Sequence, residues 1–172
     1  MTTTTTTETG RRETRIEADP DLPTVKIVRE FDAPVELVYR AHVDPELVKE
    51  WMGPRSIDME ITTWDLRTGG EYRYTALRDG EEIGHFYGSV HRVWENRKIV
   101  QTFGFDEMPE AVSLDTLELH DLGDGRTRLE IMSVVYDMES RDAMLASGME
   151  VGVNEGYEAL DEILARQAGG AA

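Results

Sequence analysis

The stretch Ser140–Gln167, SRDAMLASGMEVGVNEGYEALDEILARQ, decides how the rest of the chain is read. At about 100° per residue, Leu145, Met149, Val153, Leu160, Ile163 and Leu164 fall on one side of a helix. Glu150, Asn154, Glu158, Asp161 and Glu162 fall on the other. The spacing predicts one amphipathic helix of about seven turns. Gly148, Gly152 and Gly156 recur every four residues beside the apolar stripe, where each costs roughly 1 kcal/mol relative to Ala. Two arrangements would offset that cost: another backbone packed on the bare ridge, or a space left for a bound guest.

A helix with one apolar side needs a partner, and the preceding sequence supplies strands. Val25, Ile27 and Phe31 alternate with Lys26 and Glu30, as in a half-buried strand. Asp32-Ala33-Pro34 stops it, and Val35, Leu37, Val38 and Ala41 give a short helical face. A second short helix starts at Asp44-Pro45, with Leu47, Val48 and Trp51 as its apolar side. From Ser56 the period changes to two, and strands follow over 57–64, 71–78, 82–94, 98–105, 112–122 and 127–136, with Asp79-Gly80 a strong hairpin turn. The residues before Thr24 have almost nothing to bury and read as a disordered tail, 1–23. A single domain over 24–168 is expected. Its class is α+β: a curved antiparallel sheet wrapped around the long C-terminal helix, with two short helices after the first strand.

The 172 residues suffice for one core, and the net charge of −17 is spread along the chain. Such a surface repels phosphate backbones and anionic lipid, so neither a nucleic-acid nor a membrane partner is expected. The absence of cysteine excludes disulfides and thiolate chemistry and suits a cytoplasmic address. Exposed strand edges allow a monomer or a homodimer.

Three stretches, taken in order, carry a family resemblance: Phe31-Asp32-Ala33-Pro34 with Val38 and Asp44-Pro45 through Trp51-Met52-Gly53-Pro54; Asp65-Leu66-Arg67-Thr68-Gly69-Gly70; and Gly148-Met149-Glu150-Val151-Gly152. The chain resembles the bacterial branch of proteins homologous to the activator of the ninety-kilodalton heat-shock protein ATPase, within the START-like (SRPBCC) superfamily. The resemblance spans roughly Thr24 to Gln167 and implies a helix-grip fold with a cavity between sheet and terminal helix. Known roles in the superfamily include lipid carriage, polyketide aromatase/cyclase activity, antibiotic sequestration and co-chaperone activity, and fold does not choose among them.

The residues narrow the choice. His85 and His91 stand about 20 Å apart on one strand and cannot share a metal ion, and His42 and His120 complete no ligand spacing. No metal or cofactor is expected. Gly88-Ser89-Val90 lacks the second glycine of a nucleophile elbow. No catalytic residue is assigned. The remaining candidates suit a pocket for a small apolar or aromatic ligand: Trp51, Trp64, Tyr74, Tyr87 and Phe103 as walls, His85 as a polar handle, and Met149, Gly152 and Val153 as the floor. Two alternatives stand beside this non-catalytic binding role. One is a chaperone-like interaction module using the acidic surface; the other is an aromatase/cyclase-like enzyme. A void of roughly 300 Å³ under Gly152 would favour the pocket.

Overall fold

The structure is a computed structural model, and residues 13–170 are described. Its sheet has eight strands in the order β1-β2-β8-β7-β6-β5-β4-β3, every neighbouring pair antiparallel. The strands are β1 (Arg15–Ala18), β2 (Thr24–Phe31), β3 (Asp58–Trp64), β4 (Glu71–Arg78), β5 (Glu81–Trp94), β6 (Lys98–Phe105), β7 (Met108–Gly123) and β8 (Arg126–Val134). Helices α1 (Val35–Val43) and α2 (Pro45–Trp51) follow β2, while α3 (Met138–Ala146) and α4 (Met149–Gly170) follow β8. The curved sheet gripping a long terminal helix is the helix-grip arrangement. Among the described residues no helix is long and apolar enough to cross a membrane.

Two expectations are corrected. The rod expected over Ser140–Gln167 is two helices, because Gly148 adopts φ +84° and no helix passes through a left-handed residue. Of the tail expected over 1–23, Arg15–Ala18 is a strand paired with β2; residues 1–12 lie outside the described part. Its register sets Ile16 opposite Ile27 and packs Ile16 against the core. Backbone pairing with an open edge makes this strand, and its own composition contributes little.

The glycine ridge of α4 is filled by backbone. A Cβ at Gly156 would lie 2.8 Å from the Trp51 carbonyl oxygen and 3.3 Å from the Gly53 nitrogen, and one at Gly152 would lie 3.2 Å from Pro54 Cδ. The Trp51-Met52-Gly53-Pro54 run therefore sits on the notch, which is how two of the three stretches noted above belong together. Nearby, Trp51 Nε1 donates to the Ala41 carbonyl at 2.8 Å.

The core has two parts. Tyr157, Leu160, Ile163 and Leu164 of α4 pack with Ile27, Phe31, Leu119 and Leu129, so α4 covers the β2–β8–β7 half of the sheet. The other half carries Tyr72, Tyr74, Val90 and Ile99, against which Tyr39, Val43 and Met52 pack instead. The terminal helix thus grips one half of the sheet and leaves the other to the α1–α2 unit.

Candidate functional site

The second half of the sheet encloses a cavity of about 100 Å³. Strand alternation sends Tyr72 and Tyr74, then Ile99, Gln101 and Phe103, then Asp115 and Leu117, to one face, and all of them line it together with Ile131. Trp64 and Leu66 close one side, with His42 of α1 and Met52 above. Aromatic contacts stiffen this wall. Trp64 lies 5.3 Å from Tyr72 between ring centroids, and Tyr74, Phe86 and Phe103 stack successively at 5.1 and 5.6 Å. Tyr72 is set by Gly88, its cross-strand partner. A Cβ there would meet the Tyr72 ring at 2.5 Å, and the phenol donates to the Thr102 carbonyl at 2.6 Å.

Polar groups are embedded in this apolar lining. His42 is buried, with Nδ1 2.7 Å from the Val38 carbonyl. A carbonyl only accepts, so Nδ1 carries the proton and a neutral ring presents a bare Nε2 lone pair. Burial lowers its pKa to about 4, opposed by the bond to Val38. Across the sheet, register aligns Gln101, Asp115 and Ser133 in one row on β6, β7 and β8. Burial raises the Asp115 pKa, against hydrogen bonds from Ser133 and Ser113 that lower it. His42 Nε2, Gln101 Oε1, Asp115 Oδ1 and Trp64 Nε1 are all buried without a hydrogen-bond partner among the described residues. Each such atom costs about 1–3 kcal/mol. All four belong to residues that line the cavity.

On the far side of Trp64 lies an open groove of about 440 Å³ between α2 and β3, lined by Pro45, Glu46, Lys49, Met59, Glu60 and Ile61. Trp64 borders both spaces.

Of the nine residues expected at a pocket, Trp64, Tyr74 and Phe103 line this cavity. The other six lie elsewhere. Trp51 is in the core, stacked on Tyr157 at 6.0 Å and edge-on to His42 at 4.8 Å. His85 stands on the surface between Glu107 and Glu82, 2.8 and 3.1 Å away, which hold its pKa up. Tyr87 is on the opposite face of the sheet, beneath the Arg73 guanidinium. Met149 and Val153 pack against the α4 core, and Gly152 meets Pro54. The expected floor is displaced because α4 covers the other half of the sheet. The roughly 300 Å³ void looked for under Gly152 is replaced by a smaller cavity under His42. Sequence reasoning missed His42, Gln101 and Asp115. Their signal is a polar residue at an inward position: Asp115 precedes Leu117 and Leu119 by twos, Gln101 stands between Ile99 and Phe103, and His42 lies one turn after Val38.

No cluster of three or more His, Cys, Asp or Glu able to hold a metal ion occurs among the described residues.

Residues 32–165 match the family described as Activator of Hsp90 ATPase homolog 1-like protein. A crystal structure of a protein from Rhodobacter sphaeroides superposes with a TM-score of 0.81 at 25% identity, covering 90% of this chain and 99% of that one. A solution structure of a protein from Arthrobacter aurescens gives 0.79 at 27% identity over 88% and 91%. Protein Ms6760 from Mycobacterium smegmatis gives 0.78 at 26% over 88% and 97%. No match was found among the curated proteins.

Proposed function

The chain belongs to the Activator of Hsp90 ATPase homolog 1-like family, and on that premise we propose that it holds a small, largely apolar or aromatic molecule without transforming it. One end of the molecule occupies the cavity beneath His42, and the remainder runs past Trp64 into the groove between α2 and β3. The carrying observation is the composition of the cavity: an aromatic and aliphatic wall interrupted by a few buried polar atoms, the usual make-up of a small-molecule site. At about 100 Å³ the cavity admits only part of a ligand. A ring-sized guest needs about 150 Å³ of apolar space, so Trp64 has to swing aside.

A ligand that binds only the folded chain raises its melting temperature by mass action. A panel of apolar and aromatic metabolites is expected to include compounds that do so. Leu66→Trp, which fills the cavity from its loop side, should remove the shift while leaving the circular dichroism spectrum unchanged. A shift of equal size in both proteins would place the ligand elsewhere, and no shift with any compound would end the proposal.

A second reading, a module that docks a chaperone-like partner, draws on the outer face of β7 and β8. There Val112, Leu114, Met132 and Val134 are 38–48% exposed, and Leu114 and Val134 are directly paired. Capture of a partner that survives Leu66→Trp and fails with Leu114→Lys would favour it.

A further inference from the structure

The outer face of the sheet carries an apolar patch, while α1, α2 and α4 all pack on the inner face. Nine large hydrophobic side chains stand exposed among the described residues, and five of them belong to this patch: Val112, Leu114, Met132, Val134 and Tyr136. Thr127, Leu129 and Ser133 of β8 are buried, so alternation turns Met132, Val134 and, two residues on, Tyr136 outward. The buried Ser113 and Leu119 of β7 do the same for Val112 and Leu114. Register joins Thr24, Val134, Leu114 and Thr102 in one outward row across β2, β8, β7 and β6. In the next row Met132 and Val100 flank Thr116.

Charges of opposite sign stand at the two ends of the patch. Lys98, four residues before Thr102 on β6, lies opposite Trp94. Arg92, Arg97 and Lys98 gather 5.2, 6.0 and 5.7 Å from the Trp94 ring centroid. At the other end, Glu110 lies four residues before Leu114 on the antiparallel strand β7. Lys98 is bonded to Glu118. Arg92, Arg97 and Glu110 have no ion pair among the described residues, although acids outnumber bases 35 to 18.

We propose that this face is the interface of a two-fold symmetric homodimer. The patch is apolar on its central row and oppositely charged at equal distances on either side, which makes it complementary to itself. A two-fold axis along the Thr102–Leu114–Val134 row packs two such faces with their strands reversed. Val100 and Met132 of one protomer then meet Val112 and Tyr136 of its partner, and the arginines around Trp94 lie over the partner's Glu110. Four strands at about 4.8 Å and eight residues at about 3.3 Å give roughly 500 Å² per protomer. A pair therefore removes on the order of 1,000 Å², the lower limit for a specific interface. The charge of −17 on each chain opposes pairing, and at about 0.15 M salt it is screened beyond about 8 Å. Such a dimer is weak, with a dissociation constant on the order of 10–100 μM. The pocket lies on the inner face and is untouched by this pairing, which gives a second copy the surface assigned above, in the second reading, to a chaperone-like partner.

The test is sedimentation equilibrium of the full chain from about 1 μM to about 1 mM at about 0.15 M salt, where a monomer–dimer equilibrium in that range is expected. Leu114→Lys sets two like charges against each other on the axis and should weaken association at least about tenfold. If that variant fails to fold, Val134→Glu should show the same loss. Arg97→Glu should also weaken association, and Arg97→Glu/Glu110→Arg should restore it to within about threefold, because each ion pair joins one residue from each protomer. Leu66→Trp, which alters only the pocket, should associate as the natural chain does. A chain that stays monomeric to about 1 mM, association untouched by Leu114→Lys, or a charge reversal that is not rescued would each overturn the inference and leave the pocket reading as it stands.

Discussion

The buried imidazole of His42 makes the stability of the fold depend on pH in one direction. In the unfolded chain this histidine takes a proton near its ordinary 6.5, whereas in the folded chain burial delays it to about 4. Between those values the unfolded state binds more protons, so stability is lost as pH falls through the window and levels off below pH 4. At about 1.36 kcal/mol per pH unit, the full loss is about 3 kcal/mol, of which about 2 kcal/mol has gone by pH 5. Asp115 has the opposite sign, since its raised pKa favours the neutral acid in the fold, and acidification also relieves the repulsion behind the net charge of −17. Both effects are shared with His42→Asn, whose amide can still donate to the Val38 carbonyl and does not titrate. Urea unfolding of the two proteins at pH 7, 6 and 5, at fixed ionic strength, should show the natural chain losing about 2 kcal/mol relative to the variant. A gap that stays constant across that range would mean that His42 is hydrated and titrates normally, and the cavity described here would lose its upper wall.

Three further outcomes follow from packing and placement. Gly156→Ala should destabilise the protein by about 1 kcal/mol in urea unfolding, because overpacking against the Trp51 carbonyl outweighs the helical gain, whereas Gly169→Ala, which faces open space, should not. Greater stability of Gly156→Ala would show that the α2–α4 contact is loose. Trp51→Phe should cost about 1–3 kcal/mol in the same assay, since it strands the Ala41 carbonyl; a neutral result would mean that water replaces the indole. His85→Ala should leave the affinity for a small aromatic probe, 4-propylphenol, within about twofold, because His85 lies on the surface between two glutamates; a large loss would return it to the site.

How far the sequence could be read depends on which features are local. The strand alternation at Tyr72 and Tyr74, the turn at Asp79-Gly80 and the apolar face of Leu160, Ile163 and Leu164 are each set by neighbours within a few residues, and the architecture follows from them. Gly148 shows the limit of that reading. The apolar stripe runs across it from Leu145 to Met149, yet a glycine after Ala146-Ser147 is also a helix-ending signal, and the backbone takes that option. The position of α4 over one half of the sheet is not encoded in any periodicity. It follows from the interlock of Gly152 and Gly156 with the Trp51–Pro54 run, a contact between segments about a hundred residues apart. For that reason Met149, Gly152 and Val153 read as a floor and Trp51 as a wall of the pocket. His42, Gln101 and Asp115 were hidden for another reason: an inward polar residue reads like an outward one until register is known, and the row joining Gln101, Asp115 and Ser133 exists only in the folded sheet.

Whether a ligand enters the cavity can be tested directly through the indole N–H signals of the three tryptophans. Trp64 borders the space with an unbonded Nε1, Trp51 donates to Ala41 within the core, and Trp94 lies among Arg92, Arg97 and Lys98. Titrating 4-propylphenol into nitrogen-15-labelled protein should move the Trp64 resonance in a saturable way and leave that of Trp94 in place. Saturable movement of Trp94 with Trp64 unchanged would contradict an interior site beneath His42.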